Sequence, residues 1–250
     1  MAPLDALAYA AEPETGTHSE AASLNARYGT LDAKAAIRLS LEELFPGRIA
    51  LVSSFGSESA VLLHLLSEVD RDAPVIFLDT GRLFPETLQY RTLLTEQLGL
   101  RDVRTVTPDP ERVMGKDPHR ALWMTNPDLC CAIRKTEPLQ RALKGFDAWF
   151  TGRKRFQNSV RAELKLFEAD GHRIKVNPLA NWTAADLKAY SSARGLPEHP
   201  LVSKGYPSIG CVPCTTKVQP GEDERSGRWR GLDKTECGIH VELEIDGSGI

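Results

Sequence analysis

With 250 residues, 41% of them hydrophobic, the chain can bury one large core. Its 31 Lys and Arg against 34 Asp and Glu leave a net charge of −3, so no global basic field draws nucleic acid, and any anion must be met by local cations. No run approaches the roughly 20 apolar residues of a membrane span, and Met1 to Gly16 carry three acids and no Lys or Arg, which excludes a membrane protein and predicts a soluble, cytoplasmic one.

Residues 1–18 mix Ala, Pro, Glu, Thr and Gly without periodicity and read as a loose leader. From Thr30, the spacing of Leu31, Ala35, Ala36, Leu39, Leu41 and Leu44 predicts a helix that Pro46-Gly47 stops. Ile49-Ala50-Leu51-Val52 is a short apolar run of the kind buried on both faces of a parallel sheet. It leads through Ser53-Ser54-Phe55-Gly56-Ser57-Glu58-Ser59 into an apolar helix pattern. Val75-Ile76-Phe77-Leu78 repeats the strand type and ends at Asp79-Thr80-Gly81-Arg82, and Pro85 to Leu98 reads as helix. Val103 to Val106 and Ala148-Trp149-Phe150 are the third and fourth candidate strands, the latter closing at Thr151-Gly152-Arg153. After Asn177-Pro178-Leu179 comes a helix pattern over Thr183 to Arg194, then a Pro-rich, irregular stretch from residue 200 to 250.

Strands and helices alternating at this length predict an α/β fold, a doubly wound, mostly parallel sheet with its ligands at the carboxyl ends of the strands. Residues 19–199 form the α/β domain on this reading, and 200–250 are a site-covering tail of the same domain.

The polar punctuation falls on that edge. Small residues between a buried strand and a helix let backbone N–H groups approach an anion, so Ser53 to Ser59 reads as a phosphate cradle, although it is neither a Walker A loop nor a GxGxxG fingerprint. Gly81 permits close approach and Arg82 can reach a phosphate or sulfate. Arg153-Lys154-Arg155 puts three cations at another strand end. An ordinary turn and a solvated charge run stay open as alternatives for these segments.

Five cysteines without a signal peptide do not suit a secreted disulfide framework. Cys130-Cys131 and the Cys211–Cys214 CxxC suit four metal ligands, leaving Cys237 as a separate thiol. Zinc and a [4Fe–4S] cluster both accept four thiolates. Adjacent cysteines point about 100° apart on a helix, so reaching one site takes local distortion or a multi-iron cluster, which leans toward iron–sulfur. Cys237 follows Arg225, Arg228, Arg230 and Lys234, whose charges would favour its thiolate and make it a nucleophile; an inert terminal cysteine is the alternative. His240 either assists as an acid or merely ends the segment.

Taken in order, Ser-Ser-Phe-Gly at 53–56, Leu-Asp-Thr-Gly-Arg at 78–82, Cys-Cys at 130–131, Gly-Arg followed by Gln at 152–157, Cys-x-x-Cys at 211–214, Arg-x-x-Arg at 225–228 and Glu-Cys-Gly-Ile-His at 236–240 resemble the adenylylsulfate and phosphoadenylylsulfate reductases of assimilatory sulfate reduction. The resemblance implies a fold related to the PP-loop pyrophosphatases, the adenine-nucleotide α-hydrolase type. It implies a [4Fe–4S] cluster on Cys130, Cys131, Cys211 and Cys214, catalysis by Cys237 with Lys135 and His240, and substrate contacts from Ser53, Ser54, Phe55, Gly56, Ser57, Leu78, Asp79, Thr80, Gly81, Arg82, Gly152, Arg153, Gln157, Arg225 and Arg228. The reaction implied is reduction of adenosine 5′-phosphosulfate to sulfite and AMP, part of cysteine biosynthesis, with thioredoxin or a glutaredoxin-like dithiol as partner. No nucleic acid or membrane partner is implied; a homo-oligomer is open. The phosphoadenylyl-specific branch usually lacks the four cysteines, which favours the adenylylsulfate, with a phosphoadenylylsulfate or dual-specificity enzyme as the alternative. Further alternatives are a tRNA-thiolating PP-loop enzyme, whose Ser-Gly-Gly-x-Asp-Ser loop is missing here, and a zinc-bearing nucleotide-binding module.

Overall fold

The structure, a computed structural model, describes residues 13–157, 159–232, 234 and 236–240. A six-stranded sheet organises it, built from β1 (Ile49–Ser53), β2 (Val75–Leu78), β3 (Val103–Val106), β4 (Ala148–Phe150), β5 (Phe167–Asp170) and β6 (Arg173–Val176) in the order β3-β2-β1-β4-β6-β5. All pairings are parallel except β5 with β6. The helices are α1 (Pro13–Tyr28), α2 (Ala33–Leu39), α3 (Ser59–Ser67), α4 (Pro85–Leu98), α5 (Pro110–Lys116), α6 (Leu122–Thr125), α7 (Pro127–Cys131), α8 (Glu137–Ala142) and α9 (Ala184–Ala193). The predicted doubly wound α/β fold is the one observed. None of the described helices is long and apolar enough to cross a membrane.

Strand alternation sorts the core. Leu51, Val75, Phe77, Ala148 and Phe150 face the layer that holds α1 to α4, whereas Ala50, Ile76, Leu78 and Trp149 face Leu139 and Leu143 at α8. Because β1, β2 and β4 are parallel neighbours, their carboxyl ends emerge side by side, and the loops that follow them share one edge.

Two features depart from the expectation. The leader boundary at residue 18 falls inside α1, which already begins at Pro13; residues 1–12 lie outside the described residues. The helix is fixed from a distance: Ala21 and Leu24 are buried, and Asn25 accepts from the Phe167 N–H at 3.1 Å and donates to its C=O at 2.7 Å, pairing with edge strand β5 as another strand would. The β5–β6 hairpin was not anticipated. Its two-residue turn places Gly171 at φ 58°, which only glycine adopts readily. Its charged residues are buried through partners, with Lys175 on Asp170 at 2.7 Å and over the Trp149 ring, so the run looks polar although all of β6 is inside.

The predicted helix from Thr30 begins after Asp32, whose carboxylate accepts from the Ala35 N–H at 2.8 Å, and it widens into a π turn over Ser40–Leu44. Beyond α9 the described residues form only short 3₁₀ turns, Val202–Lys204, Val212–Cys214 and Gly238–His240. Two isolated bridges, Leu83 with Cys211 and Thr215 with Arg228, tie this segment to the sheet edge and to itself.

Candidate active site

A cavity opens at the carboxyl ends of β1, β2 and β4 and is roofed by the C-terminal segment. Of the residues singled out above, Ser53, Ser54, Gly56, Ser57, Leu78, Thr80, Lys135, Gly152, Arg153, Gln157, Arg225, Arg228, Cys237 and His240 line it. Their convergence from six separate chain segments is what sequence order alone could not show.

The geometry reassigns several of them. The Phe55 side chain does not reach the cavity: it is fully buried, edge-on to Phe77 at 5.4 Å, and its φ of 47° turns the loop so that its neighbours face outward. Asp79 accepts from the Gly81 N–H at 2.9 Å and shapes its own turn. Gly81 has φ 68°, and an added Cβ would meet nothing, so conformation rather than close approach explains the glycine. Arg82 turns away to Asp117 at 3.4 Å and the Arg120 C=O at 2.8 Å; the sequence shows a cation at a strand end but not the buried carboxylate waiting 35 residues later. Ser53 accepts from the Phe55 N–H at 3.1 Å, and Ser57 donates to the Pro207 C=O at 2.5 Å, so both hydroxyls hold the loop in shape.

Among the cations, Arg153 is held by Glu168, Lys154 by Glu58 at 2.5 Å, and Arg161 by Glu236 in a fork with both contacts at 2.7 Å. Glu58, Arg161 and Glu236 were not picked out from sequence; for Glu236 the available signal was its place beside Cys237. Arg225 and Arg228 stand over Trp229, and Glu236 and Glu58 lie within electrostatic reach of Arg225. Arg228 stacks 4.4 Å over Trp229, and its buried Nε has no partner among the described residues. A Cβ at Gly210 would lie 2.3 Å from the Arg228 guanidinium, so the glycine before Cys211 makes room for that arginine.

Cys130 and Cys131 end α7, where Pro127 and an Asn126 cap start the helix and a π turn over Ala132–Thr136 follows. Cys130 and Cys131 themselves keep α-helical geometry, and the π turn begins at the next residue. Cys211 and Cys214 flank a 3₁₀ turn, and the Thr80 hydroxyl lies 3.3 Å from the Cys211 sulfur. Burial pushes the Cys130 and Cys131 thiols up, and burial with its neighbours Cys211, Cys131 and Cys130 pushes Cys214 up to about 11. The four thiols thus lie within electrostatic reach of one another, all free of disulfides. No three His, Cys, Asp or Glu side chains among the described residues are arranged to hold a single metal ion.

Cys237 stands apart from this set. Its sulfur lies 3.7 Å from the Lys135 ammonium, and its N–H is accepted by Glu236 at 2.8 Å. Burial works against its thiolate, but Lys135, the Ile239 backbone and Arg228 outweigh burial and hold the pKa below the ordinary thiol value. Burial likewise opposes the Lys135 charge, and the surrounding sulfurs of Cys211, Cys237 and Cys131 overcome it, raising its pKa. Since a thiolate reacts and a thiol does not, Cys237 reactivity falls as pH drops through its depressed pKa. Lys135→Met should raise that pKa, moving the midpoint of Cys237 alkylation upward by about one pH unit, read by peptide mass mapping across pH. An unmoved midpoint would show that the ammonium does not stabilise the thiolate.

The His240 ring stacks parallel on Trp149 with centroids 5.9 Å apart, and its buried Nδ1 has no partner among the described residues. Burial and the nearby Arg153, Arg161, Lys175 and Lys135 push its pKa well below the usual histidine value. This favours the neutral imidazole, whose remaining N–H is still a hydrogen-bond donor.

The comparisons with known proteins bear on the family of the chain. The profile of the phosphoadenosine phosphosulfate reductase domain matches residues 48–217. A protein of Mesorhizobium japonicum named adenosine 5′-phosphosulfate reductase is 53% identical, with 97% of this chain and 95% of that protein covered. One of the same name from Mycolicibacterium smegmatis is 42% identical, with 80% and 85% covered. The crystal structure of a phosphoadenylyl-sulfate reductase from Candida auris, a phosphate complex, matches with a TM-score of 0.68 at 29% identity, covering 80% of this chain and 97% of that one. FMN adenylyltransferase of Candida glabrata shares the fold alone, with a TM-score of 0.52 at 15% identity, covering 90% of this chain and 84% of that one. With the domain profile spanning most of the chain and a relative this similar along nearly its full length, the chain belongs to the phosphoadenosine phosphosulfate reductase family.

Proposed function

We propose that this chain reduces adenosine 5′-phosphosulfate to sulfite and AMP in sulfate assimilation and cysteine biosynthesis, acting in the cytoplasm. The observation that carries the reading is the Cys237 sulfur held 3.7 Å from Lys135 in a cavity that Arg225 and Arg228 also line. The names of the relatives support the choice of the adenylylsulfate.

The chemistry follows from charge. The Cys237 thiolate attacks the sulfate sulfur; a new S–S bond forms, the S–O bond to the AMP phosphate breaks, and AMP leaves with that electron pair. Attack of an anion on an anion requires cations around both, which Lys135, Arg225 and Arg228 supply. The product is Cys237 S-sulfonate. A second thiol then attacks the Cys237 sulfur, sulfite leaves with the bonding pair, and a mixed disulfide remains for a neighbouring thiol to resolve. The other four cysteines are committed elsewhere, so the dithiol is external, with thioredoxin as the partner of matching chemistry.

Cys130, Cys131, Cys211 and Cys214 fit a [4Fe–4S] cluster. All four thiols are free of disulfides and lie within electrostatic reach of one another, as ligands of one shared cluster would be. When bound, the cluster supplies a fixed charge beside Lys135 and joins α7 to the Cys211–Cys214 turn.

Anaerobic incubation with adenosine 5′-phosphosulfate and no reductant, followed by intact-mass measurement, should show a gain of about 80 Da, one sulfonate, with AMP released. A cluster-loaded protein that gains no such mass would refute the reading.

A further inference from the structure

Six cationic side chains line the cavity: Lys135, Arg153, Lys154, Arg161, Arg225 and Arg228. Arg153, Lys154 and Arg161 are in ion pairs, Arg225 lies within electrostatic reach of Glu236 and Glu58, and Lys135 and Arg228 belong to the Cys237 side. The cavity thus keeps positive charge on that side for one polyanionic end of a ligand.

The Lys154–Glu58 pair has a particular orientation. The Lys154 side chain is 3% exposed and that of Glu58 is 28% exposed, so the carboxylate meets the cavity and the ammonium lies beneath it. Both donors go to one oxygen, Lys154 Nζ at 2.5 Å and Gln157 Nε2 at 2.6 Å to Oε2. Nothing among the described residues donates to Oε1, which is left to accept from a ligand. A carboxylate has no proton to donate: it welcomes a hydroxyl and repels a phosphate. Glu58 immediately precedes α3, in the loop whose Ser53, Ser54 and Gly56 line the same cavity.

Resting on the function proposed above, we propose that Glu58 is a specificity-determining residue: by covering Lys154 and presenting Oε1 it selects adenosine 5′-phosphosulfate, whose ribose hydroxyls are free, and rejects the 3′-phosphorylated nucleotide. Glu58→Gln keeps the shape and an acceptor for Lys154 and Gln157 while removing the charge, which uncovers the ammonium electrostatically.

The test measures kcat/KM for both phosphosulfates in wild type and Glu58→Gln, and, by calorimetry, affinities for the non-reacting AMP and adenosine 3′,5′-bisphosphate. The preference for the adenylylsulfate should fall at least about tenfold, with a matching relative gain for the bisphosphate. Adding Lys154→Met should cancel that gain, because the uncovered ammonium is what receives the phosphate. If Glu58→Gln lowers the melting temperature but leaves both ratios within about twofold, the pair is a structural strut and the inference is overturned. Failure of the underlying function looks different: Cys237 of the wild type is sulfonated by neither phosphosulfate, while the AMP and bisphosphate affinities still judge Glu58.

Discussion

Cys237→Ser should lower sulfite release from adenosine 5′-phosphosulfate by at least about 10⁴-fold, in the range seen when a catalytic nucleophile is removed. The serine hydroxyl has nearly the same shape, so the Glu236 acceptor for the backbone N–H of residue 237 is retained. What disappears is the acid–base difference: Lys135 and Arg228 favour ionisation of a thiol, but an alcohol lies too far above their reach. Lys135 then keeps only the other sulfurs as partners, and AMP should bind nearly as before. The variant is to be compared with wild type for sulfite release with thioredoxin, for the mass gain without it, and for iron and sulfide content. Loss of turnover with cluster content unchanged identifies Cys237 as the attacking atom. Turnover within tenfold of wild type would move the chemistry to another group and sink the thiol route.

Where a side chain's role depends on its own strand or turn, the sequence was enough. β1, β2 and β4 are continuous apolar runs because both their faces are covered, and the loops after them lie together because parallel neighbours end on one edge. The gathering of Cys130, Cys131, Cys211 and Cys214 was legible too: the structure brings them within electrostatic reach of one another. Roles set by a distant partner were not. Arg82 and Arg153 look alike as cations after strands, yet buried Asp117 draws one out of the cavity. The β5–β6 hairpin looks polar because its lysine and arginine are paired inside, and α1 is ordered by the backbone of a strand more than 140 positions away. Glu58 and Glu236 carry no signal of their own; each acquires meaning only beside the cation it faces.

That last pairing carries the second large effect. The Arg161 and Glu236 side chains are each 8% exposed and meet through two 2.7 Å contacts, while Glu236 also accepts from the Cys237 N–H. One carboxylate therefore anchors the C-terminal segment to the sheet edge and fixes the nucleophile's backbone. Breaking one half of a buried ion pair costs about 3–5 kcal/mol, because the remaining charge is left desolvated. That cost falls on the docking of the segment rather than on the sheet, which keeps its own core. Glu236→Ala should accordingly speed amide exchange over Cys237–His240 by about 100-fold or more and slow S-sulfonation comparably, with little change in global unfolding. Removing both charges, in Glu236→Ala with Arg161→Met, should recover part of the exchange protection, since no unpaired ion stays buried. The same double variant should not recover S-sulfonation, because the N–H of Cys237 still lacks its acceptor. Unchanged exchange protection in Glu236→Ala would mean that other contacts hold the segment down, and the nucleophile would then owe its position to Lys135 and the backbone turn alone.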